Sequence, residues 1–173
     1  SSILTKIARH LEVIYMRGKT LVTFNLNGCE VSLAVKAEES LLNALRRHGC
    51  TDLKCGCEAG SCGSCALLLD GLAVKSCIIP AASVNGKQIW TAAALCEYDT
   101  LAKSLAESFI DCGAVQCGFC TPGMIIASYA YIKDGGKADR QAIRRALSGN
   151  LCRCTGYKKI VDAVEKVAGS FFC

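Results

Sequence analysis

The sequence predicts an α+β fold, with a small mixed sheet in the first half of the chain and only helices in the second half. Apolar and polar residues alternate over residues 19–35, on both sides of Asn27-Gly28. An Asn-Gly pair between alternating runs is a strong signal for a β-hairpin. After residue 100 the apolar residues recur at the spacing of a helix instead. This change of period, near residue 92, predicts a boundary between two domains.

Further elements complete the predicted sheet. Residues 40–49 are predicted as a helix that Ser40 caps and Gly49 ends. Residues 66–77 form a second hairpin that turns at Asp70-Gly71, and residues 87–91 form a further strand. Strands, one crossing helix and more strands make a small mixed sheet of α+β type.

The second half predicts an all-α domain of four helices. Their predicted ranges are 100–112, from Thr121-Pro122 to Gly135-Gly136, 139–147 with Asp139 as cap, and 157–168. We therefore expect an N-terminal extension at residues 1–17, one domain at 18–91 and a helical domain at 92–173.

Composition and charge exclude several classes of protein. The apolar runs are shorter than the ~18 residues of a membrane span, so no span is expected. Residues 1–15 lack the continuous apolar stretch of a secretory signal, and we expect a cytoplasmic protein. The net charge is +5, but the basic residues are spread along the chain without interleaved aromatics. Nucleic acid binding is therefore not expected.

Cysteine is the unusual feature of the composition, with 14 residues among 173. Disulfides are a poor explanation, because the chain has enough apolar residues to fold without them and its CxxC and CxC pairs are too close for ordinary cross-links. Closely spaced cysteines in such a chain are more often metal ligands or redox groups.

The first cysteine set has the spacing of a plant-type [2Fe–2S] site, C-x4-C-x2-C followed by a distant fourth cysteine. Two irons that share two sulfides need four converging thiolates, and the glycines of CGCEAGSCGSC let the backbone fold closely around such a core. A zinc site fits this triplet poorly. The predicted ligands are Cys57, Cys62, Cys65 and Cys77.

The second set consists of one CxxC pair and one CxC pair, with the predicted ligands Cys117, Cys120, Cys152 and Cys154. Each pair precedes a predicted helix N-terminus, where free N–H groups and the helix dipole favour negative charge. A [2Fe–2S] core and a zinc tetrathiolate would both benefit, so spacing alone leaves the metal open.

The blocks GCEAGSCGSC, GAVQCGFCTPGMI and GNLCRCTGY resemble the iron–sulfur part of the molybdenum hydroxylases. This family includes xanthine dehydrogenase, aldehyde oxidoreductase and carbon monoxide dehydrogenase. The likeness extends over about residues 18–168. It implies a β-grasp, ferredoxin-like [2Fe–2S] domain followed by a four-helix domain, with [2Fe–2S] as the second centre too.

The resemblance also implies a role as an electron-transfer subunit without a substrate site of its own. Electrons would leave a molybdenum-pterin cofactor on a large partner subunit, pass both clusters and reach FAD on a medium partner subunit. It further implies that Gln116 hydrogen-bonds to the pterin and that Cys154 lies close to it. Without the family context, Gln116 would be interpreted as a polar cap on the following turn.

Two rival interpretations belong to other classes. A free-standing ferredoxin would need only the first cluster and would leave the helical half unexplained, and a zinc-dependent interaction module is more distant. Cysteines outside the two sets are expected to be non-ligands, mostly buried as small apolar residues. They are Cys29, Cys50, Cys55, Cys96, Cys112 and Cys173.

Overall fold

A computed structural model of the protein describes residues 18–171. The predicted extension at residues 1–17 and Cys173 lie outside the described residues. The described part contains one five-stranded sheet, with strands β1 (Lys19–Leu26), β2 (Cys29–Lys36), β3 (Ala66–Leu69), β4 (Leu72–Lys75) and β5 (Gln88–Trp90). Their spatial order is β2-β1-β5-β3-β4. Strands β1 and β5 are parallel and the other neighbours are antiparallel, which confirms the predicted mixed sheet.

Both predicted hairpins are present, and their turns explain their sequences. Asn27 and Gly28 have φ angles of 54° and 87°, and Asp70 and Gly71 have φ angles of 48° and 83°. Two consecutive positive φ angles define a type I′ turn, whose twist matches that of the flanking strands. Asn, Asp and Gly are the residues that adopt this conformation most readily.

Helix α1 (Leu41–Arg47) packs its apolar face against the sheet. The Ser40 side chain caps it by accepting a hydrogen bond from the Asn43 amide, as the sequence predicts. Its buried leucines share one core cluster with Val22, Phe24 and other alternate residues of the strands. Alternation places these strand residues on a single face of the sheet.

Five helices follow the sheet: α2 (Ala92–Tyr98), α3 (Thr100–Asp111), α4 (Thr121–Lys133), α5 (Arg140–Leu147) and α6 (Lys158–Phe171). The four predicted helices are present, but α2 was not predicted, so the four-helix detail is not confirmed. Helix α2 has only seven residues, and its buried positions are Ala92 and Leu95. So short a helix depends on tertiary packing rather than on its own periodicity. Between residues 18 and 171, no helix has the length and apolarity that crossing a bilayer requires.

Strand β3 connects the two halves because it is buried on both faces. Leu67 belongs to the core beneath α1, whereas Ala66 and Leu68 belong to a second cluster with residues of α2, α3 and α4. Successive side chains of a strand point to opposite faces. The uninterrupted apolar run of β3 therefore serves two cores at once.

Asp99 links two helices at the edge of this second cluster. Its carboxylate caps α3 by accepting hydrogen bonds from the amides of Leu101 and Ala102, and it also accepts one from the Tyr129 hydroxyl on α4 at 2.9 Å. Burial acts to raise the pKa of Asp99, but these donors and the Lys133 ammonium 3.6 Å away outweigh it, so its pKa lies below the usual value.

We expect Asp99→Ala to destabilise the protein more than Asp139→Ala. Asp139 caps α5 through two amides, so its loss removes a cap of about 0.5–2 kcal/mol. Asp99→Ala also removes the hydrogen bond from Tyr129, which adds about 0.5–1.5 kcal/mol. Urea unfolding of both variants at neutral pH measures the difference, and equal losses would contradict a role of Asp99 between the helices.

The same contribution should depend on pH. Because the pKa of Asp99 is lowered in the folded state, its stabilisation is present above the unfolded pKa of about 4 and is lost as the pH falls through the lower folded value. Wild-type and Asp99→Ala proteins should therefore converge in unfolding free energy as the solution is acidified. A constant difference from neutral pH to about pH 3 would contradict this assignment.

Candidate metal centres

The first cysteine set lies where the loop between α1 and β3 meets the end of β4. Cys57, Cys62 and Cys65 stand in this loop, and Cys77 stands in a short 3-10 segment, Ser76–Ile78, directly after β4. The thiol of Cys57 hydrogen-bonds with that of Cys62, and the thiol of Cys65 with that of Cys77. The predicted ligands are thus brought together as two sulfur pairs, one at the exposed rim of the loop and one buried beneath it.

Backbone amides of the loop point at the sulfur of Cys57. The N–H groups of Ala59, Ser61 and Cys62 donate to it at 3.3–3.4 Å. The amides of Ala59 and Cys62 are foremost in lowering the pKa of Cys57 to about 6, because hydrogen bonds favour the charged thiolate. The positive φ of Gly60, 71°, contributes to the tight path of the loop.

The buried sulfur pair has the opposite character. Burial raises the pKa of the Cys77 thiol to about 11, and its contact with Cys65 adds to the effect. A thiol in such surroundings remains protonated until a cation replaces the proton. The Cys65 carbonyl accepts a hydrogen bond from the buried Ser76 hydroxyl at 2.7 Å, which ties the loop to the residue before Cys77.

Gly56 leaves room for the Cys62 sulfur. A Cβ at this position would lie 2.9 Å from Cys62 Sγ, which is closer than side chains allow. The loop therefore depends on glycine here for a close approach of backbone to sulfur, as the glycine-rich sequence predicts.

The second cysteine set also forms two sulfur pairs. Cys117 and Cys154 are exposed, and their Sγ atoms lie 3.5 Å apart. Cys120 and Cys152 are partly buried and share a hydrogen bond, and burial foremost raises the pKa of Cys120 to about 12. All four predicted ligands of this set are therefore brought together.

The helix termini near this set lie close to their predicted positions. Cys120 is the N-cap residue of α4, with Pro122 in the first turn, as the sequence indicates. Helix α6 begins at Lys158, one residue after its predicted start, and follows a turn in which Tyr157 has a φ of 67°.

Two side chains that the sequence analysis did not single out support Cys152. The Thr155 hydroxyl donates to Cys152 Sγ at 3.1 Å, and the Tyr157 hydroxyl accepts from the Cys152 amide at 2.8 Å. Burial acts to raise the pKa of Cys152, but the donors from Thr155 outweigh it and the net shift is downward. Thr155-Gly156 follows the CxC pair directly, and such residue pairs favour turns. This pair could have indicated that the chain turns back and brings the Thr155 hydroxyl to the Cys152 sulfur.

The donor set fits two-iron cores. Within residues 18–171, no three His, Cys, Asp or Glu side chains converge as ligands of a single ion. Two separate thiol pairs at each site are the arrangement in which each iron of a [2Fe–2S] core receives two thiolates. At the first site the pairs are Cys57 with Cys62 and Cys65 with Cys77; at the second they are Cys117 with Cys154 and Cys120 with Cys152.

The surface beside the second set is apolar and exposed. Gln116 is exposed directly before Cys117, and within residues 18–171 its side chain makes no hydrogen bond. Four apolar residues that lie within three positions of Cys117 or Cys154 in the sequence are exposed: Val115, Phe119, Leu151 and Tyr157. We call these four side chains the apolar patch; exposed apolar surface of this kind is typical of a protein–protein contact.

Cys55 shows how a cysteine can lie within the first loop and take no part in a sulfur pair. Its thiol hydrogen-bonds with Glu58, and burial foremost raises its pKa. Cys50 and Cys96 are partly buried, as expected for small apolar residues, whereas Cys29 is exposed on β2.

Two family models match the chain. One, described as a 2Fe-2S iron-sulfur cluster binding domain, matches residues 24–96, and the other, described as a [2Fe-2S] binding domain, matches residues 91–165. They cover, in turn, the parts of the chain that carry the first and the second cysteine sets.

Similar proteins with known names and structures agree with these matches. The nicotine 6-hydroxylase small subunit of Paenarthrobacter nicotinovorans is 40% identical over 86% of this chain and 89% of its own length. The nicotinate dehydrogenase small FeS subunit of Eubacterium barkeri is 40% identical over 85% of this chain and 94% of its own length. The structure of quinoline 2-oxidoreductase from Pseudomonas putida 86 matches with a TM-score of 0.82 and 38% identity, over 87% of this chain and 94% of that one. The chain belongs to the family of iron–sulfur small subunits of the molybdenum hydroxylases.

Proposed function

We propose that this chain transfers electrons within a molybdenum hydroxylase complex and binds two [2Fe–2S] clusters for that purpose. The observation that carries the proposal is the arrangement of eight cysteines as two thiol pairs at each of two sites. A bound [2Fe–2S] core supplies reversible one-electron chemistry at each site. The proposed ligands are Cys57, Cys62, Cys65 and Cys77 at the first site, and Cys117, Cys120, Cys152 and Cys154 at the second.

The protein groups around each site hold negative charge on sulfur. At the first site the amides of Ala59, Ser61 and Cys62 surround the sulfur of Cys57. At the second site the Thr155 hydroxyl donates to Cys152, and α4 directs its N-terminus towards Cys120. Such donors stabilise the charge that reduction adds, and they therefore tune the reduction potential.

The two sites belong to two proposed domains, a β-grasp ferredoxin-like domain at residues 18–91 and a helical domain at residues 92–173. The packing of α1 against one face of the mixed sheet supports the β-grasp assignment. The separate apolar core of α3 to α6 supports the helical domain. The family models, which match at residues 24–96 and 91–165, agree with this division.

The exposed edge of the second site is the proposed contact with a large molybdenum-binding subunit. The apolar patch and the Gln116 amide, which has no hydrogen-bond partner within residues 18–171, support a role for this edge in binding another protein and the pterin of its cofactor. Two relatives are named as small subunits, and a third is named as the beta subunit of a dehydrogenase complex. We propose FAD on a medium partner subunit as the next carrier and the cytoplasm as the location, and no substrate site on this chain.

A free-standing ferredoxin is not favoured. Relatives whose own length is mostly matched by this chain are named as subunits, and the helical half with its second thiol set is unnecessary for a carrier with one cluster. The substrate of the complex belongs to the large subunit in this proposal.

The proposed function is tested by metal analysis of the chain purified without oxygen. Two [2Fe–2S] clusters predict about four irons and four sulfides per chain and two distinct signals in electron paramagnetic resonance after reduction. Co-purification of molybdenum and flavin from the native source tests the proposed complex. Zinc in place of iron would contradict the electron-transfer role.

Replacement of Cys62 by Ser should remove the first cluster and leave the second. The ligands of the two sites lie in separate loops, so the loss should be local. Iron content should fall to about half, with one [2Fe–2S] resonance retained. Cys55→Ser is the matched control in the same loop and should retain both resonances, because the Cys55 thiol hydrogen-bonds with Glu58 and belongs to neither sulfur pair. Loss of both clusters in folded Cys62→Ser protein would contradict independent sites.

Replacement of Gln116 by Ala should leave iron and sulfide unchanged, because the side chain supplies no thiolate. If its amide binds the pterin, the loss of one hydrogen bond weakens cofactor retention by about 0.5–1.5 kcal/mol. The measurement is molybdenum content together with the rate at which substrate reduces the clusters in the assembled complex. Gln141→Ala, which changes a glutamine on α5, is the control. Full molybdenum occupancy and wild-type reduction would show that Gln116 has no role towards the cofactor.

A further inference from the structure

The two cysteine loops are joined directly through their backbones. The Leu151 amide, one residue before Cys152, donates to the carbonyl of Cys62 at 2.8 Å. The next carbonyl, that of Gly63, accepts from Nδ2 of Asn150 at 3.1 Å. Consecutive residues of one loop are thus bonded to consecutive residues of the other, and we call this contact the seam.

Glycines bring the backbones of the seam close together. A Cβ at Gly63 would lie 2.5 Å from the Gly149 carbonyl oxygen, and Gly63 has a φ of 72°. A Cβ at Gly123, in the first turn of α4, would press against the carbonyl oxygen of Gly63. At these two positions the backbones meet without an intervening side chain, so the distance between the loops is set by main-chain contact.

Asn150 is the polar side chain that fixes the seam. It is 7% exposed, and its own amide donates to the Leu147 carbonyl at the end of α5 at 2.9 Å. Gly63 is held from its other side, since its carbonyl also accepts from the Ala66 amide at the start of β3. Asn150 therefore ties the end of a helix to the start of a strand, with one cysteine loop on each side.

The Phe119 ring covers the same region. It comes from the loop that carries Cys117 and Cys120, and its Cε1 atom lies 3.6 Å from where a Cβ of Gly56 would stand. That same position is 2.9 Å from the sulfur of Cys62. The Phe119 ring of the second loop and the Cys62 sulfur of the first thus both lie beside Gly56.

We propose that Asn150 is the positioning residue of the electron route between the two sites. Its hydrogen bond to Gly63 holds the Cys62 carbonyl on the Leu151 amide. The connection from Cys62 to Cys152 then runs through covalent bonds and one hydrogen bond, with no gap to cross. With both cores bound, one electron would pass along this route, which would oxidise one core and reduce the other without forming or breaking a covalent bond. The inference rests on the proposed function, in which both cysteines are cluster ligands.

The test uses the whole chain with both clusters bound. After full reduction, the magnetic interaction between the clusters is measured by electron paramagnetic resonance. After flash photoreduction, transfer between the clusters is timed. Asn150→Ala should retain iron, sulfide and both resonances, with a weaker magnetic interaction and transfer slowed on the order of tenfold, because small displacements of reacting groups have large kinetic effects.

Asn85→Ala is the matched control, since the Asn85 side chain also hydrogen-bonds to the backbone, accepting from the Thr23 amide at 2.9 Å, and Asn85 belongs to neither cysteine loop. It should leave both measurements unchanged. Wild-type interaction and wild-type transfer in fully loaded Asn150→Ala would overturn the proposal.

Two glycine variants provide a second test of the seam, which is needed if Asn150→Ala loses a cluster. Gly123→Ala drives a methyl group against the Gly63 carbonyl, whereas at Gly149 a Cβ would meet only the tip of Lys75, at 3.5 Å. Gly123→Ala should weaken the interaction and slow transfer, and Gly149→Ala should not. Loss of a cluster in both Asn150→Ala and Gly123→Ala, or no effect of Gly123→Ala, would overturn the positioning role. A wild-type chain without iron would instead refute the proposed function itself.

Discussion

The constraint on which this structure depends is the repulsion among thiolates that must stand side by side. Each proposed site gathers four sulfurs, and each sulfur carries negative charge once its proton has left. The protein reduces this repulsion in two ways: hydrogen-bond donors stabilise the charge on some sulfurs, and burial keeps other thiols protonated. Three loop amides surround Cys57, whereas Cys77 and Cys120 lie in surroundings that keep their thiols protonated until metal arrives. The positive φ angles of the loop glycines serve the same purpose, because they allow the backbone to turn its N–H groups towards the sulfurs.

The sequence predicted those elements whose structure depends on neighbouring residues along the chain. Asn27-Gly28 and Asp70-Gly71 require positive φ angles at adjacent residues, and the structure has them. After residue 100, the helical spacing of the apolar residues shows directly which face of each helix is buried. Helix α2 was missed because seven residues carry too little periodicity, and its stability comes from β3, far away in sequence. The contacts of Thr155 and Tyr157 with Cys152 depend on a turn whose direction spacing does not reveal.

The candidate ligands were predictable, but their pairing was not. The C-x4-C-x2-C spacing names which cysteines can converge, yet several pairings satisfy the same spacing. Only the folded loop shows Cys62 beside Cys57 and Cys65 beside Cys77. The seam was beyond sequence reasoning for the same reason, since Gly63 and Asn150 are 87 positions apart. Strand β3 strengthens the join, because separating the halves would expose Ala66 and Leu68 to water.

The short distance between the sulfurs of Cys117 and Cys154 has a consequence for the metal-free protein. Their sulfurs are 3.5 Å apart and both residues are exposed. In a metal-free chain in contact with dioxygen, these two thiols can give two electrons and two protons to dioxygen and become a disulfide, with hydrogen peroxide as the other product. That bond would occupy two of the four sulfurs and block insertion of iron. A reducing environment, or a partner that covers the second site before oxidation, would prevent this bond, so the order in which metal and partner bind would affect whether the second site is filled.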